Sequence, residues 1–253
     1  MRIKSIGAKL IASIVTLLVV TCIALGILSF LNSSSALQEQ VETNLVWKAE
    51  DVSHYMEEVF KRLFGEVELI ADQAVLQEMD LEKQFTYLNE QLTERTDYLA
   101  FGIIDENGIS HYSDGTTADL SDREYVIDAF NGETAMSDIL ISRVTNEPVL
   151  MIATPINTTT GEKALLLARM DGYVLSDVVK DIQVGETGYA LIVNEDGTIQ
   201  GHANREYVKN EMNFITHSQE ADEMKGEAKA IQEIVSNDTG FFEFENAENA
   251  RQF

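Results

Sequence analysis

The first hydrophobic pattern along the chain is an unbroken one. Leu10 to Leu31, LIASIVTLLVVTCIALGILSFL, contains no charged side chain. At about 1.5 Å of helical rise per residue it is long enough to cross a hydrocarbon core of ~30 Å. Beyond it the pattern turns periodic. Leu37, Val41, Leu45, Val52, Met56, Val59, Leu63, Val67, Ile70 and Ala74 recur mostly three, four or seven apart, which predicts one long amphipathic helix. Continued from the apolar run, it would extend for roughly 60 Å, so it needs a second copy of itself or the following fold to cover its stripe. Leu81, Phe85, Leu88 and Leu92 predict a further helix, and Met56 and Met79 are expected to be core residues.

From Tyr98 the period shortens. YLAFGIIDENGISHY reads as strand, turn and strand; SDREYVIDAF as a helix; and DILISRV, VLMIATPI and KALLLARM as three strands separated by TNEP and TTTGE turns. The expected fold is α+β: a five-stranded antiparallel sheet with the helix on one face. A second copy follows. Ile103-Ile104-Asp105-Glu106-Asn107-Gly108 recurs as Ile192-Val193-Asn194-Glu195-Asp196-Gly197, each after an aromatic-led strand and before a strand ending near His111 or His202. Two tandem modules are therefore expected. The second continues through EAKAIQEIV and the strand TGFFEFEN and is expected to be truncated, two strands short.

Charge sharpens the reading. Three basic residues, Arg2, Lys4 and Lys9, and no acid precede the periodic helix; the other 15 of the 18 basic residues face all 43 acidic ones, a net of −28. That excess argues against nucleic acid as a partner. Basic residues before the apolar run and acidic ones after it orient it with the N-terminus in the cytoplasm. A cleaved secretory signal is the rival, given Ser34 and Ala36, but its apolar region is usually only about 7–15 residues. Cys22 alone permits no intrachain disulfide, and no cofactor or metal is expected.

No GxSxG, HExxH, GxxxxGK[ST] or GxGxxG string occurs, so no catalytic residue is assigned. DENG and NEDG look superficially like calcium loops, but their glycine is misplaced for one and hairpin turns are expected instead. His54, His111, His202 and His217 are read as ordinary residues, and Glu57-Glu58 and the pair Asp177 and Asp181 as solvated helix faces.

One residue resists a bland reading. Ser121 and Glu124 stand in capping-box spacing and Gly132 offers a stop, so Arg123 is predicted in the first turn of a helix, where the dipole disfavours a cation. It shares a stripe with Val126, Ile127 and Phe130 at about 100° per residue. Either an internal carboxylate meets it, with Asp171, Asp119 and Asp138 as candidates, or a ligand does. Tyr125 is about 200° from Arg123 on an ideal helix, so it reaches the same ligand only if the first turn is irregular. Asp171 could serve merely to start an Asp-Gly turn, and Arg143 is read as a strand-end surface residue.

The apolar helix, the long helix, the tandem modules and the strings SDREYVIDAFNGE, SDILISRVTNEPV, IATPI and DIQVGETGYALIVNEDGTIQGHANREYV together resemble the double Cache sensor domain of bacterial transmembrane receptors. The nearest likeness is to methyl-accepting chemotaxis proteins; the same sensor also feeds diguanylate cyclases and histidine kinases. The resemblance implies two PAS-like modules: residues 1–9 in the cytoplasm, 10–31 across the membrane, 32–96 a helical spine, 97–172 a membrane-distal module and 173–253 a truncated proximal one. It further implies a homodimer in the cell membrane, residues 32–253 outside, no enzymatic activity, and a small molecule, a carboxylate or an amino acid, bound in the distal module. Arg123 would take the ligand carboxylate, Tyr125 would stand at the aromatic place, and Ser142 and Asp171 at the two ammonium-binding places, Ser142 departing from the family's aspartate. The competing classes are a membrane-anchored extracellular enzyme and an adhesive surface protein.

Overall fold

The computed structural model describes residues 6–184, 188–217 and 225–236. Contacts divide the chain into two compact units, Met1–His54 and Tyr55–Phe253. Helix α1 (Ile6–Ala71) contributes to both. In the first unit its large apolar side chains from Leu10 to Leu31 are exposed, and this segment is long and apolar enough to cross a membrane. Leu37, Val41 and Trp47 are exposed as well. In the second unit the same stripe turns inward: Met56, Leu63, Val67 and Ile70 are buried.

α1 ends at Ala71 rather than running through Ala74; α2 (Ala74–Gln77) and α3 (Leu81–Glu94) follow. Asp80 caps α3 by accepting the Lys83 amide. Leu88 is buried there, but Leu81 is 43% exposed and Gln84 takes a core position, its amide nitrogen donating to the Leu76 carbonyl at 2.7 Å.

Seven strands, not five, form the main sheet: β1 (Tyr98–Ile104), β2 (Ile109–Tyr112), β3 (Thr117–Asp119), β4 (Ala135–Met136), β5 (Leu140–Ile141), β6 (Pro148–Ile156) and β7 (Ala164–Asp171). Their order is β3-β2-β1-β7-β6-β4, with β5 also on β6, and every pair is antiparallel. The two unforeseen strands, β3 and β4, are too short to carry an alternating pattern. DILISRV yields only Leu140–Ile141, because the chain turns at Ser142, whose carbonyl accepts the Asn146 amide. β6 and β7, buried on both faces, form the centre, with Ile152, Leu166 and Leu167 fully enclosed. One face packs under α4 (Glu124–Phe130), where Tyr125, Val126 and Ala129 meet Val149, Met151, Leu165 and Leu167.

The capping box is not formed. Asp119 captures both the Ser121 amide (3.0 Å) and its hydroxyl (2.6 Å), so Ser121 cannot reach forward. Arg123 is itself the N-cap, with extended backbone, and its carbonyl accepts the amides of Val126 and Ile127. The expected stripe shifts accordingly: Tyr125 is buried and Ile127 is 49% exposed. Gly132 does end the helix, at φ +107°.

The second module is built from α5 (Val174–Val179), β8 (Gln183–Val184), β9 (Gly188–Tyr189), β10 (Leu191–Val193), β11 (Ile199–His202), α6 (Arg205–Lys209), α7 (Phe214–His217) and α8 (Lys225–Val235). The expected strand TGFFEFEN lies outside the described residues. The repeat is a structural one. Asp105 accepts the Gly108 amide on its carbonyl and the Ile109 amide on its side chain; Asn194 does the same for Gly197 and Thr198. Both glycines have φ above +79°, and β10 pairs with β11 as β1 does with β2.

The first turn carries an extra contact, Asp105 Oδ2 to His111 Nε2 at 3.2 Å. Burial pulls the Asp105 carboxyl up, but the His111 hydrogen bond and two backbone amides outweigh it and leave its pKa lowered. A lowered carboxyl contributes stability above its unfolded pKa, lost as pH falls through the folded one. Asp105→Asn copies the second turn and should flatten that acid loss. With both side chains about a third exposed the effect is under ~1 kcal/mol. Thermal midpoints measured across the acid limb check it: an Asp105→Asn profile as steep as the parent's would refute the assignment.

Candidate functional site

The N-cap geometry is what brings the candidate side chains together. With Arg123 off the helical spiral, the 200° separation from Tyr125 no longer applies, and both line one cavity between α4, β2, β3 and the β5–β6 turn. Ser142 and Arg143 line it from the turn, Tyr112 from β2 and Met151 from the central strand β6. Leu120, Leu140 and Val144 supply apolar wall. Its volume is about 10 Å³, the room of a single water. An organic ligand therefore requires the wall to move.

The Ser142 turn, one part of that wall, is fastened to its surroundings by side-chain bonds. Arg143, read from the sequence as a surface residue, makes a forked ion pair with Asp122 (2.8 and 2.7 Å) and donates to the Asp119 carbonyl at 2.6 Å. It thereby ties the Ser142 turn to the segment preceding α4. The pair is exposed, so solvent screens it and it is a weak tie.

Arg123 has no such partner. Its Nε is buried without a hydrogen bond, and among the described residues its guanidinium enters no ion pair. The three internal carboxylates are engaged elsewhere. Asp119 holds Ser121, Asp138 accepts from the Asn194 amide nitrogen at 2.7 Å, and Asp171, exposed at the end of β7, accepts the Tyr173 amide at 2.8 Å. Asp171 does not line the cavity, so three of the four assigned residues converge and the fourth stands apart.

The polar lining is rich in donors. Ser142 is buried, and its Oγ accepts the amides of Val144 and Thr145, which leaves its hydroxyl proton free for an acceptor. Burial raises the pKa of Tyr125 and of Tyr112, so both phenols stay protonated at neutral pH. No carboxylate is among the lining residues.

An internal comparison isolates Arg123 further. The tetrapeptide Arg123-Glu124-Tyr125-Val126 recurs as Arg205-Glu206-Tyr207-Val208 at the start of α6, a repeat legible in the sequence yet passed over there. Arg205 is satisfied: its Nη2 lies 2.8 Å from Asp177 and its Cζ 4.8 Å from the Tyr173 ring centroid. Asp177, expected to be merely solvated, also takes Lys180 at 3.0 Å. The same motif is closed by a carboxylate in one module and left open in the other.

A larger cleft of about 310 Å³ lies between the C-terminal end of α4 and the β6–β7 turn, lined by Phe130, Pro155, Ile156 and Lys163. It holds none of the assigned residues and no orphaned polar group, so the small cavity is the better candidate despite its size.

Comparison with known proteins agrees with this architecture. The ligand-binding domain of the Pseudomonas aeruginosa PAO1 amino-acid chemoreceptor PctC, solved with GABA, superposes with a TM-score of 0.55 at 16% identity, covering 66% of this chain and 77% of that one. The ligand-binding domain of the Pseudomonas fluorescens chemoreceptor CtaA, solved with L-isoleucine, gives 0.57 at 17% identity, covering 69% and 74%. The extracellular domain of mmHK1S-Z2, described as a histidine kinase, gives 0.56 at 12% identity, covering 76% and 81%. At these identities the likeness carries the fold alone. No curated protein sequence matches the chain. The family model of the Cache domain matches residues 33–248, spanning both sister modules, and on that match the chain belongs to the Cache domain family.

Proposed function

We propose that this chain is the extracytoplasmic sensing region of a membrane-anchored receptor of the chemotaxis type, and that Arg123 receives the carboxylate of a small ligand. The observation that carries the reading is the Arg123 guanidinium, partly buried at a cavity wall and without an ion pair among the described residues. A buried cation left alone is costly, whereas a forked guanidinium holds a carboxylate through two charge-assisted hydrogen bonds. Tyr125 and Ser142 contribute donors beside it. The likeness to chemoreceptor domains solved with GABA and with L-isoleucine supports a small organic acid as the ligand class. Asp171 would act only if the ligand extended past the lining.

The receptor anchors through the apolar part of α1, N-terminus in the cytoplasm and residues 32–253 outside, and pairs as a homodimer through the exposed stripe carrying Leu37 and Val41. Its work is not catalytic. A ligand that prefers the arrangement with the Ser142 turn displaced shifts the population toward it, and α1 carries the change to the membrane. A second reading, the same sensor feeding a histidine kinase, is favoured by the likeness to mmHK1S-Z2. A thermal-shift screen of the detergent-solubilised chain against small carboxylic acids tests the sensing role. A true ligand at 100 times its Kd stabilises the fold by about 2.7 kcal/mol. No shift with any acid would leave the adhesive alternative standing.

A further inference from the structure

Arg169 is the one charged residue within the hydrophobic run of β7. Strand alternation places it on the sheet face of Leu165 and Leu167, the face that packs under α4, and it pairs in register with Met151, a cavity-lining residue. Its Nε and Nη1 are buried without hydrogen-bond partners. Its Cζ lies 5.4 Å from the centroid of the Tyr112 ring, and Tyr112 also lines the cavity with Arg123. Asp114 feels the Arg169 charge without bonding to it and holds Thr116 through its amide and hydroxyl, while Asp171 holds the Tyr173 amide.

The second module again supplies the contrast. Arg205 likewise stands over a tyrosine ring, that of Tyr173, and there Asp177 completes the arrangement at 2.8 Å. Arg169 over Tyr112 has the ring and lacks the anion. Arg123, with a buried unpaired nitrogen, thus lines a cavity that no carboxylate lines, and Arg169, with two, stands behind the Tyr112 and Met151 part of its wall. An ammonium group would face two cations and no anion there, and a monocarboxylate would leave one guanidinium unpaired.

We infer that the site takes a small dicarboxylate lacking an ammonium group, one carboxylate held by Arg123 and the other by Arg169. The inference rests on the reading of Arg123 as the ligand-binding group. Tyr112 is shared by both ends of the site and would move aside with the Ser142 turn to join them.

Calorimetric titration of the full chain in detergent with malonate, succinate and glutarate, against propionate and butyrate, tests it. At least one diacid should bind roughly 10- to 100-fold tighter than the monoacids. Arg169→Gln should erase that advantage while sparing monoacid binding, Arg169→Lys should restore part of it, and Arg123→Gln should weaken both classes. Arg169 has no hydrogen bond or ion pair among the described residues, only its stack on Tyr112, so the thermal midpoint of Arg169→Gln should fall little; if it falls further, Arg169→Lys carries the comparison. Monoacid binding that depends on Arg123 with no diacid advantage overturns the dicarboxylate assignment and leaves the Arg123 reading intact. Tighter binding of GABA than of any diacid does the same. Absence of Arg123-dependent binding by both classes overturns both.

Discussion

Arg123→Ala should raise the Kd for a carboxylate ligand by roughly 30-fold to several thousand-fold, about 2–5 kcal/mol, while leaving the fold as stable as before. The size follows from the environment: Arg123 Nε is buried, and truncating one member of a desolvated charge pair strands the other. The unchanged stability follows from the same fact. Among the described residues Arg123 makes no ion pair, so its removal deletes no side-chain bond there, and relieving a buried unpaired donor is neutral to slightly favourable. The two readouts must therefore separate. Arg205→Ala in the second module would behave oppositely, losing the tie to Asp177 without touching the ligand. An Arg123→Ala protein that melts lower yet binds as before would mean that Arg123 serves the fold and not the ligand.

Gly108→Ala is expected to damage the fold strongly, destabilising by about 2–4 kcal/mol. Gly108 sits at φ +80°, where any L side chain is strained, and a Cβ there would lie 2.6 Å from both Cα and Cβ of Ser121. That neighbour is backbone and cannot swing away. The Gly108 carbonyl also accepts the Leu120 amide at 2.9 Å, so the hairpin turn holds the segment that delivers Arg123 to the cavity. Binding should weaken along with stability. Gly197, the repeat position, is a graded control: its φ is +85°, but the atom met at 2.6 Å is the Cδ1 tip of Ile215, which can yield. Gly197→Ala should cost about 1–2 kcal/mol and leave ligand binding unaffected. Equal thermal midpoints for the two variants would show that Ser121 does not press on the turn as described.

Much of this architecture could be read along the chain because it is local. The apolar run, the hairpin turn at Asp105–Gly108 with its copy at Asn194–Gly197, the stop at Gly132 and the buried β6–β7 pair each follow from side-chain period or turn chemistry within a few residues. What escaped depends on contacts across space. Ser121 and Glu124 have the spacing of a capping box, but Asp119 claims Ser121 first, and that competition set Arg123 at the N-cap and brought Tyr125 to its side. Gln84 fills a core position because the Leu76 carbonyl lies within its reach, which no helical period reveals. β3 and β4 were too short to register.

Of the four residues singled out in the sequence, Arg123, Tyr125 and Ser142 line one cavity, whereas Asp171 does not. Arg169 was overlooked although ALLLARMD contains the clue: alternation puts it in line with Leu165 and Leu167, on a face where a charge is out of place. The recurrence of REYV was equally available, but its meaning needed coordinates, since only they reveal that one arginine pairs with Asp177 and the other has no ion pair among the described residues.

The most direct measurement is the structure of the complex with whichever acid gives the largest thermal shift. The account expects a ligand carboxylate within hydrogen-bonding distance of both the Arg123 guanidinium and the Ser142 hydroxyl, with the Arg143–Asp122 pair parted or displaced. A ligand seated elsewhere, with Arg123 turned to a carboxylate of its own chain, would contradict it.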